Sequence, residues 1–406
     1  MLDTGDGFLR HLEDAANVPL VELTASSMLT GLGAIGTDAV NVGRADLLLP
    51  PELLARTASG AGVPLVSANV VDAAGKPLFP GWVVKEIGGQ RVGIFGVTGP
   101  APPTLARRPG PAPTVQDPFA AARRAVAELR PTCRLVIALS QLGLEEDERL
   151  AREVPGIDVI LGGHTRALTP VPRIQGSTLI LHSGAKGMRL GRLEVEVAPG
   201  ASGPWIERAN AKGAATRVYA WELVQLDASI PDDPGLAALL ERHREQLRAR
   251  NLAEQAAAPP PAPLPAEPPY VGAPACGTCH PDQLREWSAS GHARAMAALV
   301  RKKQDLNPEC VRCHVTAFGE PGGYLPGRRG GVDLANVQCE ACHGFGREHR
   351  GRGRIRAGVS EAICRRCHTS ENSPTFAYEP YLKQLAPHAQ RYFRRRAGAP
   401  PKPPVP

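Results

Sequence analysis

Four times within the 93 residues from Cys276 to His368 the chain repeats Cys-x-x-Cys-His. The copies are Cys276-Gly-Thr-Cys279-His280, Cys310-Val-Arg-Cys313-His314, Cys339-Glu-Ala-Cys342-His343 and Cys364-Arg-Arg-Cys367-His368. This spacing is a chemical constraint. Two thiols one helical turn apart can add to the two vinyl groups of a haem, and the imidazole that follows reaches the iron. Paired cysteines also make zinc sites and disulfides. Zinc, however, has no reason to demand a histidine directly after every second cysteine. Four copies, each with its own histidine, specify four covalently bound haems c.

Beyond these proximal ligands, the same region holds His292, His349 and His388. If each supplies a second axial bond, three irons are six-coordinate and one keeps an open face. A plain surface position is the alternative for each, most of all for His388 near the tail. Met296 is the only methionine in the region and hence the one candidate sulfur ligand. It lies one turn after His292, in an Ala-rich stretch expected as a helix from about Pro281, where core packing is its expected role.

Composition agrees with a chain in two parts. Eight of the nine cysteines belong to the haem motifs, and Cys133 stands alone beside the apolar run Leu135 to Leu139, as a buried core residue would. Aromatic residues make up only 4% of the chain, and haem would supply the missing apolar bulk. From residue 270 onward there are 21 Lys and Arg against 11 Asp and Glu, while the whole chain carries +7, so the basic part is the haem part. Haem propionates are a nearer use for these cations than nucleic acid, since no aromatic-interleaved platform stands beside them. No stretch approaches the roughly 18 apolar residues of a membrane span. Met1 to Leu20 lacks the basic start and apolar run of a secretory signal.

Residues 1 to about 228 alternate short apolar runs with helical stretches, which predicts an α/β domain. Val63 to Val70, Arg91 to Val97, Leu135 to Leu139, Val159 to Leu161 and Thr178 to His182 read as strands. Asp117 to Leu129 and Glu145 to Glu153 read as helices. Pro234 to Arg250 places Leu236, Leu239, Leu240 and Leu247 on one helical face. The expected organisation is an α/β domain over 1–228, a closing helix within 229–255 and a Pro/Ala-rich linker over 256–269. A mainly α, haem-organised domain over 270–393 and a disordered basic, Pro-rich tail over 394–406 complete it.

The haem region resembles the tetrahaem cytochrome c-554 family. The resemblance rests on Trp287-Ser-Ala-Ser-Gly-His292-Ala-Arg-Ala-Met296, on the stretch from Cys310 to Tyr324, and on Val337 to Gly346. It implies close haem pairs, His292, His349 and His388 as distal ligands, and a five-coordinate haem at His314. It also implies redox partner proteins as electron donor and acceptor.

The first 228 residues resemble the metallophosphoesterase domain of the 5′-nucleotidase family. The matching segments are Thr4-Gly-Asp6-Gly, Gly36 to Gly43, Ser67-Ala-Asn69-Val, Gly93 to Thr98, and Val154 to Thr165 with Gly-Gly-His164. Such a domain is an α/β sandwich that holds two metals to activate water and clamp phosphate oxygens. Asp6 and His164 match two of its ligands, leaving a vestigial dinuclear site. The other positions carry Arg44, Gln141 and Arg166, and the opening Asp-x-His strand has no counterpart, so a bound divalent metal is doubtful. The chain is therefore expected to begin late, with a leader upstream. His11, His182 and His243 are expected to be ordinary core or surface residues.

The leading expectation is electron transfer through four haems outside the cytoplasm, where c-type haem is attached. The nucleotidase-like part would bind a partner, a nucleotide or another phosphate ligand. The alternatives are a redox enzyme reducing a small nitrogen ligand at the open iron, and a metal-dependent 5′-nucleotidase coupled to a redox domain.

Overall fold

Apolar runs without alternation become strands covered on both faces, and four such runs build the centre of the N-terminal sheet. In the computed structural model, Thr178–Leu181, Val159–Gly162, Leu135–Ser140 and Gln90–Val97 lie side by side in that order, all parallel. Arg173–Gln175 and Trp82–Ile87 close the two edges antiparallel. The edge strand Trp82–Ile87 has no buried residue, whereas Gln90–Val97 is buried from Val92 to Val97. The structure describes residues 1–8, 18–103, 105, 110–185, 187–198, 200–201, 203–212, 217–257, 269–326, 331–349, 355, 358–369 and 372–385.

A second parallel sheet runs Leu2–Asp3, Ala39–Asn41, Leu65–Val66. The side-chain amide of Asn41, fully buried, donates to Thr4 O at 3.3 Å and to Val97 O at 3.0 Å, joining this sheet to the first. The helix Pro118–Leu129 starts where Asp117 accepts from the Ala120 N–H at 2.7 Å and Pro118 fixes the first turn. Its Phe119, Ala122, Ala125, Val126 and Leu129 pack in one core with Phe95, Val97, Val136 and Ala138 of the sheet.

The elements differ from expectation at four places. Val63 to Val70 is not one strand: Leu65–Val66 and Val70–Val71 belong to different sheets. Asn69 breaks the run because its amide bonds Thr98 O and Gln116 O and its oxygen accepts from Thr98 N. The closing helix is longer, Pro234–Ala257, and so extends two residues into the expected linker. The stretch from Pro281 is interrupted, with Pro281–Ala289 ending before a short turn at His292–Arg294 and a new helix over Ala295–Arg301. The two compact units, Met1–His243 and Arg244–Pro406, divide within the long helix instead of at 228.

The described residues of the second unit are helical and short of apolar core. Leu299, Val311 and Val315 form its buried cluster among the described residues, with Met296 packed against them as expected. His388, His11, most of the expected linker and the tail lie outside the described residues.

Candidate haem site

Each motif folds as, or at the end of, a helical turn, which puts its two cysteines on one face. Cys310, Cys313 and His314 lie on Pro308–His314, and Cys339–His343 is itself a helix. Cys276 lies on Gly272–Gly277 and Cys364 ends Glu361–Cys364. None of the eight motif cysteines is in a disulfide. Thiols of the first and third motifs touch, Cys276 with Cys339, as do those of the second and fourth, Cys313 with Cys367. The bond from Cys367, aided by Arg312, pulls the Cys313 thiol down to about 6, while its bond to Cys339 and burial push Cys276 up.

Histidines from distant segments meet in pairs. The rings of His280 and His349 are 6.1 Å apart, centre to centre, at 15° between planes, and those of His292 and His368 are 6.0 Å apart at 50°. Direct ring contact would bring atoms to about 3.5–4 Å. A metal held between two imidazoles sets a centre-to-centre distance of roughly 6 Å: two bonds of about 2 Å, and roughly 1 Å from each nitrogen to its ring centre. The spacing and the donor set fit haem iron. Burial and the neighbouring His368 and His314 hold His292 below its ordinary pKa, which favours the neutral, ligating imidazole.

The far ring nitrogen fixes which nitrogen is free to ligate. His314 Nδ1 lies 2.7 Å from Ala295 O, so Nδ1 carries the proton and Nε2 is available. His368 Nδ1 lies 3.2 Å from Ser373 Oγ, while Phe376 stacks on the same ring at 4.8 Å. The two pairs account for His280, His349, His292 and His368, leaving His314 and His343 of the proximal set. Sequence reasoning did not single out Gln338 or Glu340, both buried and polar, and a Glu between two cysteines gives no sign of its burial.

In the N-terminal unit the phosphoesterase positions converge; ligating atoms of Asp6 and His164 are engaged, whereas the buried Oε1 of Gln141 has no hydrogen-bond partner. Asp6 accepts from Ala45 N at 2.7 Å, His164 Nε2 lies 3.3 Å from Arg44 Nη1, and Gln141 Nε2 donates to Gly5 O at 3.0 Å. Burial and Arg44 lower the His164 pKa. Asp6, His164 and Arg166 all hold left-handed backbone, with φ of 60°, 69° and 58°. Among the described residues, no group of three or more His, Cys, Asp or Glu side chains is placed to hold a metal. The Arg44 guanidinium, a fixed cation, thus stands beside the ligating nitrogen of His164. Asp147, buried with His182 at 2.8 Å and also bonded by Ser140, lies between the two instead of at the end of a relay, so the trio is a core network.

The helical motifs and the parallel sheet thus define a two-part molecule, a haem-ligating region and a phosphoesterase-type α/β region. Residues 275–344 match the family model of cytochrome c554 and c-prime. Cytochrome c-554 of Nitrosomonas europaea is 37% identical over 103 residues, covering 22% of this chain and 43% of that protein. The trifunctional nucleotide phosphoesterase YfkN of Bacillus subtilis is 26% identical over 235 residues, covering 48% of this chain and 16% of that protein. A 5′-nucleotidase precursor from Thermus thermophilus aligns at 27% identity and a TM-score of 0.49, covering 61% of this chain and 49% of that structure. The chain spans less than half the length of each of these relatives. Its C-terminal part is cytochrome c-554-like and its N-terminal part 5′-nucleotidase-like.

Proposed function

We propose that this chain transfers electrons through four covalently attached haems, outside the cytoplasm, with the N-terminal region binding a partner or phosphate ligand without hydrolysing it. The two imidazole pairs at 6.1 and 6.0 Å carry this reading, because neither rings in contact nor unrelated rings would adopt the same iron-sized gap twice. When bound, haem iron supplies one-electron chemistry at a tunable potential. The chain's own part is to hold the ligands. His280 with His349 and His292 with His368 would hold the first and fourth haem irons, and Ala295 O orients His314. By the family resemblance His388 completes the third site, and His314 keeps an open face. Cys276 against Cys339, and Cys313 against Cys367, would bring the haems of motifs one and three, and two and four, edge to edge.

Attachment of c-type haem outside the cytoplasm carries the proposed location, and no helix among the described residues is long and apolar enough to cross a membrane. A second reading, reduction of a small nitrogen ligand at His314, is favoured because neither imidazole pair includes His314. Haem quantitation as the pyridine adduct should give four per chain, and carbon monoxide should bind one reduced haem. Purely low-spin reduced spectra with no carbon monoxide binding would remove the open site. Nucleotide hydrolysis dependent on added manganese or zinc would falsify the inactive N-terminal region and restore the nucleotidase alternative that its relatives support.

A further inference from the structure

Glu340 stands between the cysteines of the third motif and is 3% exposed. Its carboxylate accepts from the backbone N–H groups of Val271 at 3.0 and 3.2 Å, Gly272 at 2.8 Å and Gly346 at 2.8 Å. Each of these partners is a donor only, so the group is held as an acceptor, in the form of a carboxylate. On the other side of Cys339, Gln338 is 6% exposed. It accepts from Ala273 N at 2.6 Å and donates to Asp333 O and Ala335 O, both at 2.8 Å.

Residues 338 and 340 therefore grip three successive N–H groups, those of 271 to 273, where the helix Gly272–Gly277 begins. Cys276 sits on that helix, in contact with Cys339. The close approach needs glycine. Gly272 holds φ at +79°, and a Cβ at Gly346 would stand 2.7 Å from Glu340 Oε1 and 2.8 Å from Val271 Cγ2. A neutral side chain can hold backbone donors, as Gln338 does. A full negative charge in a water-poor interior also acts at range.

We propose that Glu340 is a positioning residue for the first and third haems. With Gln338 it docks the first motif onto the third, and its buried charge lowers the reduction potential of both haems. The inference rests on the four-haem reading. Reduction adds one electron to the iron, converting ferric to ferrous, and removes one positive charge. An anion nearby stabilises the ferric form and so opposes that step.

The test is potentiometric titration of the haem-loaded full chain. E340Q keeps the size and removes the charge. It should retain its haem and raise two transitions by about 59 mV or more, about tenfold in the oxidised-to-reduced ratio, with the other two unmoved. E340D keeps the charge and shortens its reach. It should load haem and titrate at the unmodified potentials, with a lower melting temperature. Loss of haem from E340Q alone, with E340D loaded at those potentials, also supports the assignment. Transitions in E340Q that stay fixed, or that all shift equally, overturn it. Loss of haem from both variants would make Glu340 a folding residue and overturn it as well. Mass spectrometry of the four motif peptides in the unmodified chain tests the four-haem reading separately.

Discussion

His349 lies six residues past the third motif's histidine, yet its ring faces that of the first motif, His280. Removing it should open the first site without disturbing the others. H349A is expected to add one high-spin haem and one carbon monoxide site, read by electron paramagnetic resonance and by titration of the reduced spectrum. A second residue-scale prediction concerns Asp46, which is fully buried and accepts from the N–H groups of Asp6 at 2.9 Å, Gly43 at 2.9 Å and Phe8 at 3.3 Å. Burial and the nearby Asp6 carboxylate push its pKa up to about 8, against those three donors. Because the folded value lies above the unfolded one, the native state binds the extra proton between about pH 4 and 8. Stability from this group is therefore present at the acid end and is lost as the pH rises through that window. Urea unfolding followed by circular dichroism should show that slope, and D46N should flatten it. The candidate ligands were legible in the sequence because covalent haem demands a fixed spacing. The pairing of ligands was not, since it depends on which distant loops the chain brings together. Glu340 was invisible for the same reason, as its partners are backbone groups 69 and 68 residues earlier.

At the level of elements, the parallel strands were readable wherever an unbroken apolar run met a sheet covered on both sides. Leu135–Ser140 and Val159–Gly162 fall within a residue of expectation. Val63 to Val70 misled because its apolar residues continue through Ser67 and Asn69, and the Asn69 side chain takes up Thr98 O, Gln116 O and Thr98 N, backbone groups that a strand would have needed. Helix boundaries were legible where a cap stands at the start. Asp117 accepts from Ala120 N, and the helix it opens buries one face against Phe95 and Val97. D117A should lower the unfolding free energy by about 1 kcal/mol, as loss of an N-cap does, while leaving the haem spectrum unchanged. A larger loss, or a spectral change, would mean that Asp117 does more than cap.

Taken whole, the two units differ in what holds them together. The described residues of Met1–His243 form three buried apolar clusters, whereas those of Arg244–Pro406 bury one, of Leu299, Val311 and Val315. A helical region with so little apolar surface to bury cannot offset the entropy of ordering its chain from side-chain packing alone. The paired imidazoles tie residues 280 to 349 and 292 to 368, and iron between them would replace the missing core with bonds and a large apolar ring. This predicts an asymmetric response to haem removal. In a chain whose eight motif cysteines are changed to alanine, limited proteolysis should cut freely between residues 270 and 385 and leave residues 18 to 225 protected. In the haem-loaded chain both regions should resist, and cutting should concentrate outside them. Mass spectrometry of the fragments distinguishes the cases. Equal protection of the C-terminal region with and without haem would mean that its helices pack by themselves, and that the histidine pairs are a consequence of the fold instead of its cause.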